Sequence, residues 1–449
     1  MRCRKYVHLV GRLLLCVTLS AAAQDAPPPV SPPAVQALLK INGLTQVKAA
    51  LAAIERDDAL TFRDQLELTQ IPAPPFKEAV RAAEYLKRMR ALGLDARIDS
   101  EGNVIGVRKG RASANANAPR LVLAAHLDTV FPEGTNVKVR KEGSRYYAPG
   151  IGDDTRGLAA LLQVLRSINE AKIETVGDIV FVGNVGEEEL GDLRGVKALF
   201  RDDKDIDGFI SIDGTSVWRV VIGATGSRRF KITFKGPGGH SYGAFGLPSA
   251  IHAMGRAIAK MGDVETVREP KTTFTVGTVS GGTSVNSIAA EAELGLDIRS
   301  ESAAELAKVE AQMMALAQQA VDEENARWKM KAGPNRISLK IKLVGDRPTG
   351  LQQVSSPVVD ATRAAIASLG LEVRSLATSS TDSNLPISLG IPAATLGGGG
   401  AGGASHSPGE WFDPAGGYTG PQSIMLTVLG LVGVHGTTAP LLPKRSSRK

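Results

Sequence analysis

Residues 178–190 read DIVFVGNVGEEEL. An apolar run this continuous, rich in β-branched residues, is the pattern of a strand covered on both faces. It ends at Gly186 in three consecutive carboxylates, Glu187, Glu188 and Glu189, whose charges repel one another. The same pattern recurs on either side. RLVLAAHLD (120–128) ends in His126 and Asp128, and IDGFISID (206–213) ends in Asp213. IPAATLGGGG (391–400) leads across more glycines to His406. Between these runs, LAALLQVLRSI, entered through GIGDDTRG (150–157), and VKALF (196–200) read as helices. Continuous strands alternating with helices predict a mostly parallel α/β sheet with helices on both faces.

Further out the pattern changes. RRFKITFKGPGGHS (228–241) alternates as an antiparallel strand does. A helix at 248–262, strands at 273–279 and 288–299, a helix at 302–323 and the strand ISLKIKLV (337–344) complete an α+β unit, after which the α/β pattern resumes. The predicted organisation is a Pro-rich linker at 24–34, a catalytic domain at 35–225 and 346–437, an inserted lid at 226–345 and a basic tail at 438–449.

With 449 residues, two domains are the prior. Residues 1–23 have the form of a secretory signal: four bases before LLLCVTLSAAA, and small residues at Ala21 and Ala23. A periplasmic or secreted destination follows. Residues 1–24 hold four bases and no acids, so the net charge of +7 falls to +3 on their removal. Four more bases lie in PKRSSRK, leaving the body close to neutral, which argues against a nucleic-acid footprint. The apolar stretch is also too short for a stable membrane span. Cys3 and Cys16, the two cysteines, leave with the signal, and with them any disulfide.

The strand ends carry the chemistry. Ligands of open α/β sheets bind outside the carboxyl ends of the strands. His126, Asp128, Glu187–Glu189, Asp213 and His406 therefore converge on one rim, with Asp153 and Asp154 at the mouth of a helix that Asp153 could also cap. So much negative charge on one rim calls for a multivalent cation, and imidazole with carboxylate suits zinc. Two histidines and three carboxylates serve two ions if one carboxylate bridges them. His252, His435 and the three tryptophans read as packing or surface residues.

The motifs HLDTV, GIGDDTRG, GEEELG, SIDG and SHSPGEW, arranged around GPGGHSYGAFG and LDIRS, resemble the di-zinc amidohydrolase and exopeptidase family of aminoacylase, acetylornithine deacetylase, succinyl-diaminopimelate desuccinylase, glutamate carboxypeptidase and peptidase T. The likeness spans residues 60–435 and points most to peptidase T-like secreted members. It implies two Zn²⁺ per chain, bridged by Asp153 and a water. His126 and Asp213 would complete one site, Glu188 and His406 the other. Glu187 would be the general base, and Asp128 would orient the His126 imidazole. Gly186 before the acidic run leaves two possible working pairs, Glu187–Glu188 or Glu188–Glu189, with the first favoured. The resemblance further implies that His240 is an oxyanion donor reaching the partner's site in a homodimer formed through the lid. Asn286 and Arg299 would hold the substrate carbonyl and carboxylate. A zinc-dependent exopeptidase of short peptides is the implied activity. The alternatives are an N-acyl amino acid amidohydrolase, a glutamate carboxypeptidase-like enzyme and, behind them, a binding relative without catalysis.

Overall fold

The computed structural model describes residues 27–114 and 117–445. The expected signal (1–23), the first residues of the linker and the last four of the tail lie outside the described residues. At the centre are four parallel strands in the order Asp178–Asn184, Arg120–His126, Gly208–Ile212 and Ala393–Leu396. Antiparallel neighbours extend the sheet on both sides, Val104–Arg108 on one and Arg219–Ala224 on the other.

The continuous apolar runs have a simple cause. Successive side chains point to opposite faces, and both faces are covered. Leu121, Leu123, Ile179 and Phe181 pack beneath the helices Thr155–Glu170, Pro357–Ser368 and Thr419–Val432. Val122, Ala124, Val180 and Phe209 pack beneath Arg194–Asp202 and Asn384–Ser388. Every residue of Asp178–Asn184 is buried. Parallel alignment then delivers the carboxyl ends of all four strands to one rim.

The inserted unit is a four-stranded antiparallel sheet ordered Thr272–Gly281, Glu291–Ser300, Gly226–Lys235, Ser338–Arg347. Its inward residues Phe230, Ile232, Phe234, Leu294, Leu296 and Ile298 meet the helices Ala250–Gly262 and Ala303–Arg327. The other face carries Lys231, Glu293, Asp297 and Arg299 and opens toward the first domain. The last strand runs to Arg347, past the expected boundary at 345, because Asp346 and Arg347 remain in register with Arg228 and Ser227.

Other expectations are corrected. The Pro-rich stretch ends inside a helix, Pro32–Gly43, whose start Ser31 caps by accepting from Ala34 N; proline at the first helical turn loses no hydrogen bond. Residues 438–445 of the basic tail are anchored: Leu442 is buried and packs against Gly208, and Arg445 N donates to Asp207 Oδ1. The glycine run is also structured. Ala401–Gly403 pairs with Trp411–Asp413, which pairs with Arg145–Tyr147, in a small antiparallel sheet built from remote segments.

Candidate metal centre

The acidic residues sit where the strands stop, and the backbone fixes each one. His126 is the last residue of its strand and is buried. Its Nδ1 lies 3.0 Å from the backbone carbonyl of Asp128, and its Nε2 lies 3.0 Å from Asp153 Oδ1. Asp128 thus meets the imidazole through its backbone carbonyl, while its carboxylate stands 3.7 Å away. That carboxylate accepts instead from Glu187 N (3.2 Å) and Glu188 N (2.8 Å), and so pins the acidic turn.

The aspartate pair divides its tasks, and the cap falls on the second member. Asp154 precedes the helix Thr155–Glu170 and accepts from Gly157 N at 3.1 Å. It also accepts from His126 N. Asp153 is left free to stand between two histidines, with Oδ2 3.2 Å from His406 Nε2. Glu188 Oε1 lies 3.0 Å from the same nitrogen. Glu187 is buried and paired with Arg347, whose Nη1 is 2.9 Å from its Oε1. Glu189 is exposed and stands outside the cluster, its carbonyl held by Arg229.

Ligand atoms gather in three overlapping sets, each within 4.8 Å: His126, Asp153 and Asp213; Asp153, Glu188 and His406; His126, Glu187 and Glu188. Asp153 is common to the first two. The electrostatics agree with cation sites. Burial, reinforced by Asp153, pushes Asp213 up to about 7. Burial lifts Glu187 well above the usual carboxylate range against the pull of Arg347, with Glu188 adding to the rise. Hydrogen bonds to Asp153 and Glu188 hold the His406 imidazolium to about 11. A site with this much negative charge draws protons where divalent cations would otherwise neutralise it. Nitrogen and carboxylate donors, with one carboxylate shared, fit a pair of such ions.

Residues that the sequence reading passed over support the cluster. Glu410, four residues beyond His406, is buried and accepts from Gly150 N (2.7 Å), Gly152 N (2.8 Å) and Asp153 N (3.0 Å). It ties the His406 loop to the Asp153 loop. Arg156, also buried, donates to the carbonyls of Gly398 and Gly417 and shapes the glycine run. Asp382 is fully buried and accepts from Asn184 Nδ2 at 2.7 Å. Arg347 enters on the strand that leaves the lid. Glu410 stood inside the quoted motif SHSPGEW, but nothing local shows that its carboxylate turns inward.

A cavity of about 260 Å³ holds Asp153, Glu187, Glu188, Asp213 and His406 together with Arg219, Arg229, Arg299 and Arg347. Arg299 therefore faces the cluster while Asp297 steadies it, with Nε donating to Oδ2 at 2.7 Å. His240 and Asn286 do not line this cavity. Both are exposed on the lid ribbon in which Gly239–His240 pairs with Ser287–Ile288. His240 Nδ1 accepts from Tyr242 N and Gly243 N there.

This rim, with its shared aspartate, falls within residues 122–429, which match the model of peptidase family M20/M25/M40. The chain belongs to that family. Among relatives of the M20 chain, carboxypeptidase G2 of Pseudomonas sp. (strain RS-16) is 28% identical over 203 residues, 44% of this chain and 47% of the relative. The chain thus spans about half the length of the curated relatives it matches. Solved structures share the M20 fold over nearly their whole length. A Staphylococcus aureus tripeptidase aligns with a TM-score of 0.65 at 24% identity, covering 83% of this chain and 97% of its own. Human carnosine dipeptidase 1 aligns at 0.67 and 11% identity, covering 85% and 99%.

Proposed function

We propose that the protein is a di-zinc exopeptidase that hydrolyses amide bonds of short peptides with a free carboxylate. The observation that carries this reading is Asp153, shared between two ligand sets, with the buried Glu187 beside them. His126, Asp153 and Asp213 would hold one Zn²⁺, and Asp153, Glu188 and His406 the other. When bound, the ions supply Lewis acidity to a water and to the scissile carbonyl.

The chain's own residues do the rest. Glu187 takes the proton of the attacking water and passes it to the leaving amine. Burial has already raised its proton affinity toward the working range of a general base. Arg347, bonded to both its carboxylate and its backbone carbonyl, fixes its position beside His126 and Glu188. Asp128 keeps Glu187 and Glu188 in register from behind. Arg299 offers a planar fork to the substrate carboxylate, which suits an N-acyl amino acid as well as a peptide.

In this reading His240 and Asn286, exposed and adjacent on the lid, act in trans in a homodimer. The outer strand Thr272–Gly281 has an open edge for such pairing, and Val279 on it is 59% exposed. The signal-like N-terminal pattern supports a periplasmic or secreted destination in this reading. A fractionation blot checks that destination.

The deciding experiment titrates zinc into purified protein and assays dipeptides, tripeptides and N-acyl amino acids. Two ions per chain with chelator-sensitive cleavage are expected. Protein that binds no divalent metal and cleaves none of the panel refutes the reading.

A further inference from the structure

The wall facing the acidic cluster has more positive charge than its own carboxylates balance. Four arginines line the cavity: Arg219, Arg229, Arg299 and Arg347. Arg347 is matched by Glu187. Arg229 and Arg299 share a single carboxylate partner among the described residues, Asp297, so one charge between them is left over. Arg219, the first residue of the strand Arg219–Ala224, is half-buried, and its side chain makes no hydrogen bond or ion pair among the described residues. Asp153 and Glu188 face His406, and with Asp213 they belong to the ligand sets. They are not available to neutralise the wall.

A partly buried guanidinium without a counter-charge loses solvation and gains nothing in return. An anion entering the cavity offsets that loss, and the rigid fork of donors favours a carboxylate held by two parallel bonds. Hydroxyls stand on the same wall. Ser380 already accepts from Arg347 at 3.1 Å, and Thr381 and Thr395 are bonded to each other at 2.8 Å. The wall is therefore polar as well as positive, and it offers two unbalanced charges where a monocarboxylate needs one.

We infer that Arg219 is a specificity-determining residue that reads a second anionic group, so that the preferred substrates are short amides carrying two carboxylates. The main-chain carboxylate lies at Arg299 and the side-chain carboxylate at Arg219. This rests on the amide-hydrolase reading above and names the substrate class of that same site.

The test compares zinc-loaded wild type with Arg219→Gln and Arg219→Lys on matched substrates, N-acetylglutamate against N-acetylglutamine and dipeptides ending in Glu against Gln. Wild type should favour the acidic member by about tenfold or more in kcat/KM, the scale of one good charge-assisted contact. In Arg219→Gln that preference should collapse toward one, chiefly through KM, and Arg219→Lys should restore part of it. Binding of glutarate, which cannot be hydrolysed, is measured in parallel by calorimetry and should weaken by about tenfold in Arg219→Gln. An unchanged acid-over-amide ratio, or equal loss on both members, overturns the inference. If no substrate is cleaved at all, the hydrolase reading fails, and unchanged glutarate affinity still overturns the role of Arg219 independently.

Discussion

Glu187 and Glu188 are neighbours in sequence with opposite surroundings, and the difference can be measured. Glu188 points at His406 and shares a ligand set with Asp153, whereas Glu187, grouped only with His126 and Glu188, is paired with Arg347. Glu187→Gln should therefore keep its bound metal and lose about 10²- to 10⁴-fold in kcat, the usual worth of a general base. Loss of metal from that variant, read by a chelator-competition assay, would reverse the assignment of base and ligand. Glu410 is the complementary case. Its three amide bonds set the loop that presents Asp153, so Glu410→Gln should weaken divalent-metal affinity by roughly 10- to 100-fold, as loss of a supporting hydrogen-bond partner does. Unchanged affinity with lowered thermal stability would leave Glu410 a merely structural role. Asp382 governs a pH effect. Burial raises its pKa from 3.8 to about 6 in the folded chain, so between those values the native state holds a proton that the unfolded state releases. Stability is then greatest below the unfolded value and falls as pH rises through about 6, by on the order of 3 kcal/mol. Denaturant titrations of metal-free protein should show this fall for wild type and a flatter profile for Asp382→Asn.

At the scale of elements, the glycine run is where local pattern and tertiary structure part. Residues 397–403 show no strand period in sequence, yet Ala401–Gly403 is a strand, and a Cβ at Gly397 would stand 2.3 Å from the Ser216 carbonyl oxygen. Gly397→Ala must displace backbone, so a destabilisation of about 1–3 kcal/mol is expected, with weaker metal retention through the shifted His406 loop. Unfolding curves combined with metal analysis check both effects. The four central strands were legible because covering both faces leaves a continuous apolar signature. The small sheet of Arg140–Glu142, Arg145–Tyr147, Ala401–Gly403 and Trp411–Asp413 was not. Three-residue strands have no room for a period, and the pairing that joins their two halves, Trp411 with Tyr147, spans some 260 residues. The helix Asp58–Thr69 was missed for another reason: Asp64 and Gln65 are buried, so polar residues blur the apolar stripe.

For the whole molecule, the lid decides whether one chain suffices. His240 and Asn286 lie on its exposed ribbon, so their proposed role requires a second copy. Val279→Asp on the open edge strand should shift the protein from twice the chain's mass to one chain's mass in sedimentation, with activity falling alongside. A variant that stays dimeric, or a monomer that keeps full activity, counts against catalysis in trans. The two-domain plan and the rim of strand ends follow from patterns that repeat locally: apolar runs, the residues that end them and the glycines between; the choice of five ligands from that rim is what the family resemblance implies. What folding alone settles is where charge is balanced. Asp154 takes the cap and frees Asp153; the Asp128 carbonyl, not its carboxylate, meets His126; Glu410 and Arg347 turn inward to brace the site; the Arg219 side chain is left without a partner among the described residues. These outcomes depend on which distant backbone amides and carboxylates come within hydrogen-bond reach, a matter of about 3 Å that no spacing along the chain encodes.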